Sequence, residues 1–141
     1  MGIPVETPGA NPAAFAALRA ALGASTKIGT FTRDLTAAGG TQAITGVGFQ
    51  PRAVILLASK TDGAGFSAVG IDDGTLHYGW AYLNGFGSYA QTAQSLIVGA
   101  DVSNYQSGIV SAMGADGFTV TWATKTGTPT GTGTIFYLAL R

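Results

Sequence analysis

The chain has 141 residues, no cysteine, and seven Lys+Arg against seven Asp+Glu, so its formal charge at pH 7 is zero. That length suits one domain burying roughly two-thirds of its unfolded surface, while the charge balance leaves no basic field for nucleic acid or anionic lipid and the lack of cysteine excludes disulfides, thiolate catalysis and cysteine metal sites. Charged residues make up only 10% of the chain, against about 25% in an ordinary soluble domain, a composition that suits a surface packed against other protein.

Residues 1–26 differ from the rest. "MGIPVETPGANP" carries three of the five prolines and predicts an extended arm with little structure of its own. Asn11 is placed as an N-cap, Pro12 at the first helical position and Gly23 as a C-cap glycine, which predicts a helix through "AAFAALRAAL". Phe15, Leu18 and Leu22 form its apolar stripe. A helix of about three turns is marginal alone in water, so it is expected to dock on its own subunit, a neighbour or a larger assembly. The plain alternative is a helix that plugs one end of its own sandwich. Pro4, Val5 and Pro8 of the arm, with Phe15, Leu18 and Leu22, are the candidate attachment or oligomer contacts. The beginning of the chain lacks a charged-then-apolar signal pattern, and no run reaches the ~20 apolar residues of a membrane span.

From Lys27 onward the sequence predicts strands at roughly 27–33, 41–47, 52–60, 66–72, 76–82, 94–99, 104–113, 117–125 and 132–140. The turn signals between them are Gly39-Gly40, Asp62-Gly63, Asp73-Gly74, Asn84-Gly85, Asp116-Gly117 and a Gly/Thr/Pro stretch from Gly127 to Gly133 that reads as a long hairpin tip. Many short strands with no helix between them predict an antiparallel, jelly-roll-like β-sandwich over residues 27–141. In "DGFTVTWAT", Phe118, Val120 and Trp122 share one face and Thr119, Thr121 and Ala123 the other, the mark of a strand with one core face.

Two strands break that alternation. Ala53 to Ala58 is apolar on both faces, and so is "TIFYLAL", where Ile135, Tyr137 and Ala139 oppose Phe136, Leu138 and Leu140. Pro51 suits the start of the first of these strands, where a missing N–H is tolerated, and Phe49 is expected to cap the core. A sandwich supplies one core for one face. The second face, represented by Ile55, Leu57, Phe136 and Leu138, is therefore assigned to a subunit contact or to the docked helix, because apolar patches of that size are rare on monomers. Burying it would contribute on the order of several kcal/mol per subunit.

Residues that carry chemistry are sparse. His77 is the only histidine, close in sequence to Asp72 and Asp73, yet "GIDDGTLHYG" reads as a hairpin with Asp73-Gly74 at its turn. No G-x-S-x-G elbow accompanies it. Asp62, Asp72, Asp73, Asp101 and Asp116 lie mostly beside glycine, where an aspartate supports the turn; a calcium site built from two such loops is left open. The one Glu is Glu6, in the arm, and no Walker A loop occurs. No catalytic residue, metal site or cofactor is assigned. The aromatic group "HYGWAYLNGFGSY" is the richest candidate surface: Tyr78, Trp80 and Tyr82 share one strand face and are expected in the core or an interface, whereas Trp80, Phe86 and Tyr89 are the candidates for stacking on a sugar ring.

The combination "GVGFQPRAVILL", "GIDDGTLHYGWAY", "DGFTVTW" and "TIFYLALR" resembles β-sandwich domains of tailed-bacteriophage virion proteins, the small decoration, head-fibre or tail-fibre modules. The matching motifs are Gly48-Phe49-Gln50-Pro51 before a core strand, Asp116-Gly117-Phe118 opening a hairpin, and Tyr137-Leu138-Ala139 closing the domain, over about residues 28–141. The resemblance implies a non-enzymatic component of the phage particle surface, commonly trimeric, with no catalytic residues to carry over. Its partners would be further copies of itself and other virion proteins such as a major capsid or tail protein, with no nucleic acid and no membrane. The alternative expectation is a host-surface or carbohydrate-binding module that uses exposed aromatics.

Overall fold

The computed structural model describes residues 12–23, 25–61, 66–83, 87–123 and 125–141. One helix, α1 (Pro12–Gly23), precedes ten strands among these residues: β1 (Thr26–Asp34), β2 (Gly40–Thr45), β3 (Ala53–Lys60), β4 (Phe66–Asp72), β5 (His77–Leu83), β6 (Gly87–Gln91), β7 (Leu96–Asp101), β8 (Asn104–Gly114), β9 (Gly117–Trp122) and β10 (Thr132–Leu140). They form two antiparallel sheets, ordered β1-β10-β3-β4-β5-β6 and β2-β9-β8-β7, the all-β sandwich with a short N-terminal helix that the strand spacing predicts.

The sheets pack through alternating residues. Val54 and Leu56 of β3 and Ile135 of β10 point inward from the six-stranded sheet, to meet Val110, Val120 and Trp122 of the four-stranded one, all buried. Phe31, Phe118 and Tyr137 add an aromatic cluster across the gap, with Phe118 and Tyr137 edge-to-face at 5.3 Å. At one end of the sandwich a polar network crosses between the sheets. Arg33 Nε donates to Gln106 Oε1 at 2.9 Å, Gln106 Nε2 donates to the Ala123 carbonyl at 2.9 Å, and the Arg33 guanidinium stacks 5.0 Å from the Trp122 ring. Gln106 is fully buried, and these bonds satisfy it.

The loop before β3 is locked by one side chain. Gly46 and Gly48 have φ of +80° and +85°, values a residue with a Cβ rarely adopts, and this ends β2 at Thr45 rather than at the predicted residue 47. Asp116, in the β8–β9 turn, accepts from Gly46 N at 3.0 Å and from Gly48 N at 2.7 Å. Phe49 is thereby directed into the core, where it is 8% exposed.

Three expectations are corrected. Strand β6 is absent from the strands that the sequence predicts, because "GSYAQ" carries neither alternation nor β-branched residues. The stretch from Gly127 to Gly133 is not a hairpin tip: β9 and β10 lie in different sheets, so it carries the chain from one layer to the other. Helix α1 is not seated in an end of the sandwich by any described side chain: these are exposed, Phe15 and Leu18 included, and the helix touches β1. No described helix is long and apolar enough to cross a membrane.

Candidate functional site

The outer face of the six-stranded sheet follows from the pleat. Val54, Leu56 and Ala58 point into the core, so Ile55 and Leu57 must point out, and Leu57 is 49% exposed. Strand register then assembles rows across the sheet. Phe136, Leu57, Val69 and Trp80 are successive partners, from β10 to β5. The next row is Ile28, Leu138, Ile55, Ile71 and Tyr78. A third row runs Thr134, Ser59, Ser67 and Tyr82 and is mostly polar. Directly opposed side chains on one face sit about 5 Å apart, so the first two rows merge into a continuous apolar patch. Apart from Asp34 at the corner of β1, whose carboxylate accepts from Thr36, the described outward residues of this sheet carry no charge. The outer face of the other sheet is different: Thr41, Ala43 and Thr45 of β2 and Ser111 of β8 are exposed there, with Thr119 and Thr121 beside them.

All four residues assigned to a docking face, Ile55, Leu57, Phe136 and Leu138, lie in this patch as two pairs of direct partners. Trp80 joins them, in mid-strand rather than in a loop. It borders a shallow hollow of about 270 Å³ with Leu57, Ser59, Ser67, Val69 and Phe136. Phe86 and the arm residues Pro4, Val5 and Pro8 lie outside the described residues; Tyr89 belongs to β6 and Leu22 to α1. Val69, Ile71, Tyr78, Tyr82 and Ile28 extend the patch beyond what the sequence suggested.

Tyr78, Trp80 and Tyr82 are not core residues, and the reason lies on the opposite side of their strands. Ala68 and Gly70 of β4, and Gly79 and Ala81 of β5, are the inward residues, and all four are buried. The segment leading into β7 lies directly on them. A Cβ built on Gly70 would fall 1.7 Å from the Ser95 carbonyl oxygen, and one on Gly79 would fall 2.5 Å from that of Gln94. Backbone can approach backbone this closely only over glycine. The small face of β4 and β5 is thus the core side, and the large face is left to the exterior.

At the other end of the sandwich from Arg33, the chain buries one carboxylate. Asp72 is 0% exposed. Its Oδ2 accepts from Ser95 Oγ at 2.5 Å, from Val110 N at 2.8 Å and is 2.9 Å from His77 Nδ1, while Oδ1 accepts from Gly74 N at 2.8 Å. β7 pairs with β8 only as far as Leu96, and Ser95 N caps Gly108 O. The next N–H on that edge of β8 is Val110, and Asp72 from the facing sheet supplies the acceptor that a longer β7 would have supplied. A serine, a histidine and an aspartate do meet here, but the serine proton is given to the carboxylate and not to the imidazole. In a hydrolytic triad the order is serine to histidine to aspartate; this cluster is a cross-link between layers.

The remaining described aspartates are held by turns. Bonds from Leu76 N and Thr75 N hold Asp73 below the ordinary carboxylate pKa, and bonds from Ser103 N and the Asn104 side chain do the same for Asp101. Asp34 is lowered first by the Thr36 hydroxyl, and Asp116 by Gly48 N and then Gly46 N. Among the described residues no three His, Asp or Glu side chains converge in a metal-binding arrangement. Compared with protein-family models, with curated proteins and with solved structures, the chain gives no match.

Proposed function

We propose that this chain is a structural component of a phage virion, a capsid decoration or head-fibre type of protein that works as a homo-oligomer, trimeric by the resemblance of its motifs, and is attached through its N-terminal segment. The observation that carries the reading is the outer face of the six-stranded sheet: two uncharged rows of large apolar side chains on a chain with only 10% charged residues. Large exposed apolar patches mark interaction sites, protein–protein contacts among them. Helix α1 supports the attachment role, since Phe15 and Leu18 remain exposed on it at 52% and 55%. The test is decoration of particles. Tagged full-length protein should bind virions lacking it, and the double variant Phe15→Asp/Leu18→Asp should lose that binding while keeping its β-sheet circular dichroism. Unchanged binding by that variant refutes α1 as the anchor; failure of the unaltered protein to bind particles refutes the virion role.

A second reading is a carbohydrate-binding module, favoured by the exposed line of Tyr78, Trp80 and Tyr82 along β5, with Phe86 and Tyr89 nearby in sequence. Rings of this kind stack on sugar faces. Against it, Ser59 and Ser67 are the polar side chains that flank Trp80 on this face, few for a ligand covered in hydroxyls. A glycan array without hits, or unchanged host adsorption by Trp80→Ala, removes this reading.

A further inference from the structure

We infer that the apolar outer face of the six-stranded sheet is covered by a second copy of this chain, seated face to face with its centre at the Leu57–Val69 pair. The inference rests on the assembly reading above and adds to it the surface and the partner. Three observations lead to it.

The first is area. Eight large apolar side chains on this face are between 41% and 75% exposed; at roughly 100 Å² apiece they present on the order of 800 Å², the share each partner contributes to a standard stable interface. The patch is therefore neither a stray cluster nor the surface of a fragment of core, but of the size two folded domains bury.

The second is charge. A face that meets its own copy across a two-fold axis sets like against like near that axis, so any charge there would repel itself. Leu57 and Val69 occupy the two middle strands of the sheet and belong to rows without a charged member. Neutrality also argues against an electrostatically recognised occupant: nothing here draws a nucleic acid or an anionic headgroup. A glycan would require hydrogen-bonding groups across the face, and the two central rows offer none beyond the Tyr78 hydroxyl and the Trp80 indole N–H. What remains is another uncharged, apolar sheet.

The third is geometry. β10, β3, β4 and β5 form an uninterrupted antiparallel block without a register shift, and facing sheets of this kind pack about 10 Å apart with side chains interdigitated. The polar side chains Thr134, Ser59 and Ser67 border the patch as the rim of such an interface does. Helix α1 does not occupy the face, since its own described residues are exposed.

The absence of cysteine allows a clean test. In the full-length chain, Val69→Cys should cross-link to itself on mild oxidation and give a covalent pair on a non-reducing gel. Ala43→Cys, exposed on the Thr-rich outer face of the other sheet, should not. Light scattering of the unaltered protein should give a mass of two chains, and Val69→Lys should return it to one chain with its circular dichroism unchanged. A trimeric mass overturns the face-to-face pairing, because a closed ring of three has no two-fold axis, while leaving the assembly reading intact. An oligomer that neither cross-links through Val69→Cys nor dissociates with Val69→Lys overturns this interface while leaving the assembly reading intact. An unaltered protein that remains a single chain overturns both.

Discussion

Replacing Asp72 by alanine should destabilise the domain more than any comparable change at an exposed aspartate. The carboxylate accepts from Ser95 Oγ, Val110 N, His77 Nδ1 and Gly74 N. His77 is partly exposed and Gly74 lies in a turn, so water replaces Asp72 for both. Ser95 and Val110 are buried, at 1% and 0% exposure, and their donors would have no substitute; each such orphan costs about 1–3 kcal/mol. Adding the cavity left by the side chain, Asp72→Ala should cost about 3–5 kcal/mol, a large part of the ~5–15 kcal/mol that holds a domain folded. Asp72→Asn keeps the shape and one acceptor oxygen, which can still serve Val110 and Ser95, so it should cost about 1–2 kcal/mol. Ser95→Ala removes one donor and leaves none orphaned, for about 1 kcal/mol. The assay is urea unfolding followed by circular dichroism at fixed protein concentration, with the midpoint read at constant m. If Asp72→Ala shifts stability by less than about 0.5 kcal/mol, the level of an ordinary surface change, the cross-link between layers is not what holds this end of the sandwich. Equal losses for Asn and Ala would likewise refute the orphaned-donor reasoning.

Three further outcomes follow from the packing. Gly70→Ala places a methyl where the Ser95 carbonyl sits and should cost about 3 kcal/mol or more by forcing the β7 segment away; thermal melting checks it, and a neutral result would mean the two segments are not in contact. Gln106→Ala leaves Arg33 Nε and the Ala123 carbonyl without their partner and should cost about 2 kcal/mol, with a shift in Trp122 fluorescence because the guanidinium over that ring keeps only its bond to the Ala38 carbonyl. Acid should weaken the fold. Asp34, Asp73, Asp101 and Asp116 all sit below their ordinary pKa of 3.8 in the folded chain, so their contribution is complete above that value and is lost as pH falls through the lower folded values. Urea midpoints should accordingly drop in the window below about pH 4, and Asp116→Asn, which removes the titrating group and leaves one acceptor oxygen for Gly46 N and Gly48 N, should flatten part of that slope. A midpoint independent of pH in that window would contradict it.

Turn chemistry and strand alternation made the sandwich legible in the residues themselves. Asp73-Gly74 and Asp116-Gly117 stand at the β4–β5 and β8–β9 turns, and the apolar-on-both-sides runs of β3 and β10 announced an outer face needing cover. These are local signals: a glycine at positive φ or an alternation of period two acts within a few residues. The rows themselves were not legible, because register is a property of strand pairs. That Leu57 meets Phe136 on one side and Val69 on the other depends on which strands are neighbours.

Size alone left two places open at β5. Tyr78, Trp80 and Tyr82 suit either the core or an interface, while Gly79 and Ala81 look like spacers. The chain decides this by laying the Gln94–Ser95 backbone on the small residues, an approach set by distant segments. Asp72 shows the same division. Its place beside a glycine turn is written in the sequence; its burial, its grip on Ser95 and its bond to Val110 exist only because β7 stops short and the facing sheet brings a carboxylate to the gap. The residues by themselves determined the strands, the turns and the surplus of apolar surface. The tertiary structure decided where that surplus gathers, because only the pairing of strands and the stacking of sheets can turn separate side chains into one uncharged face.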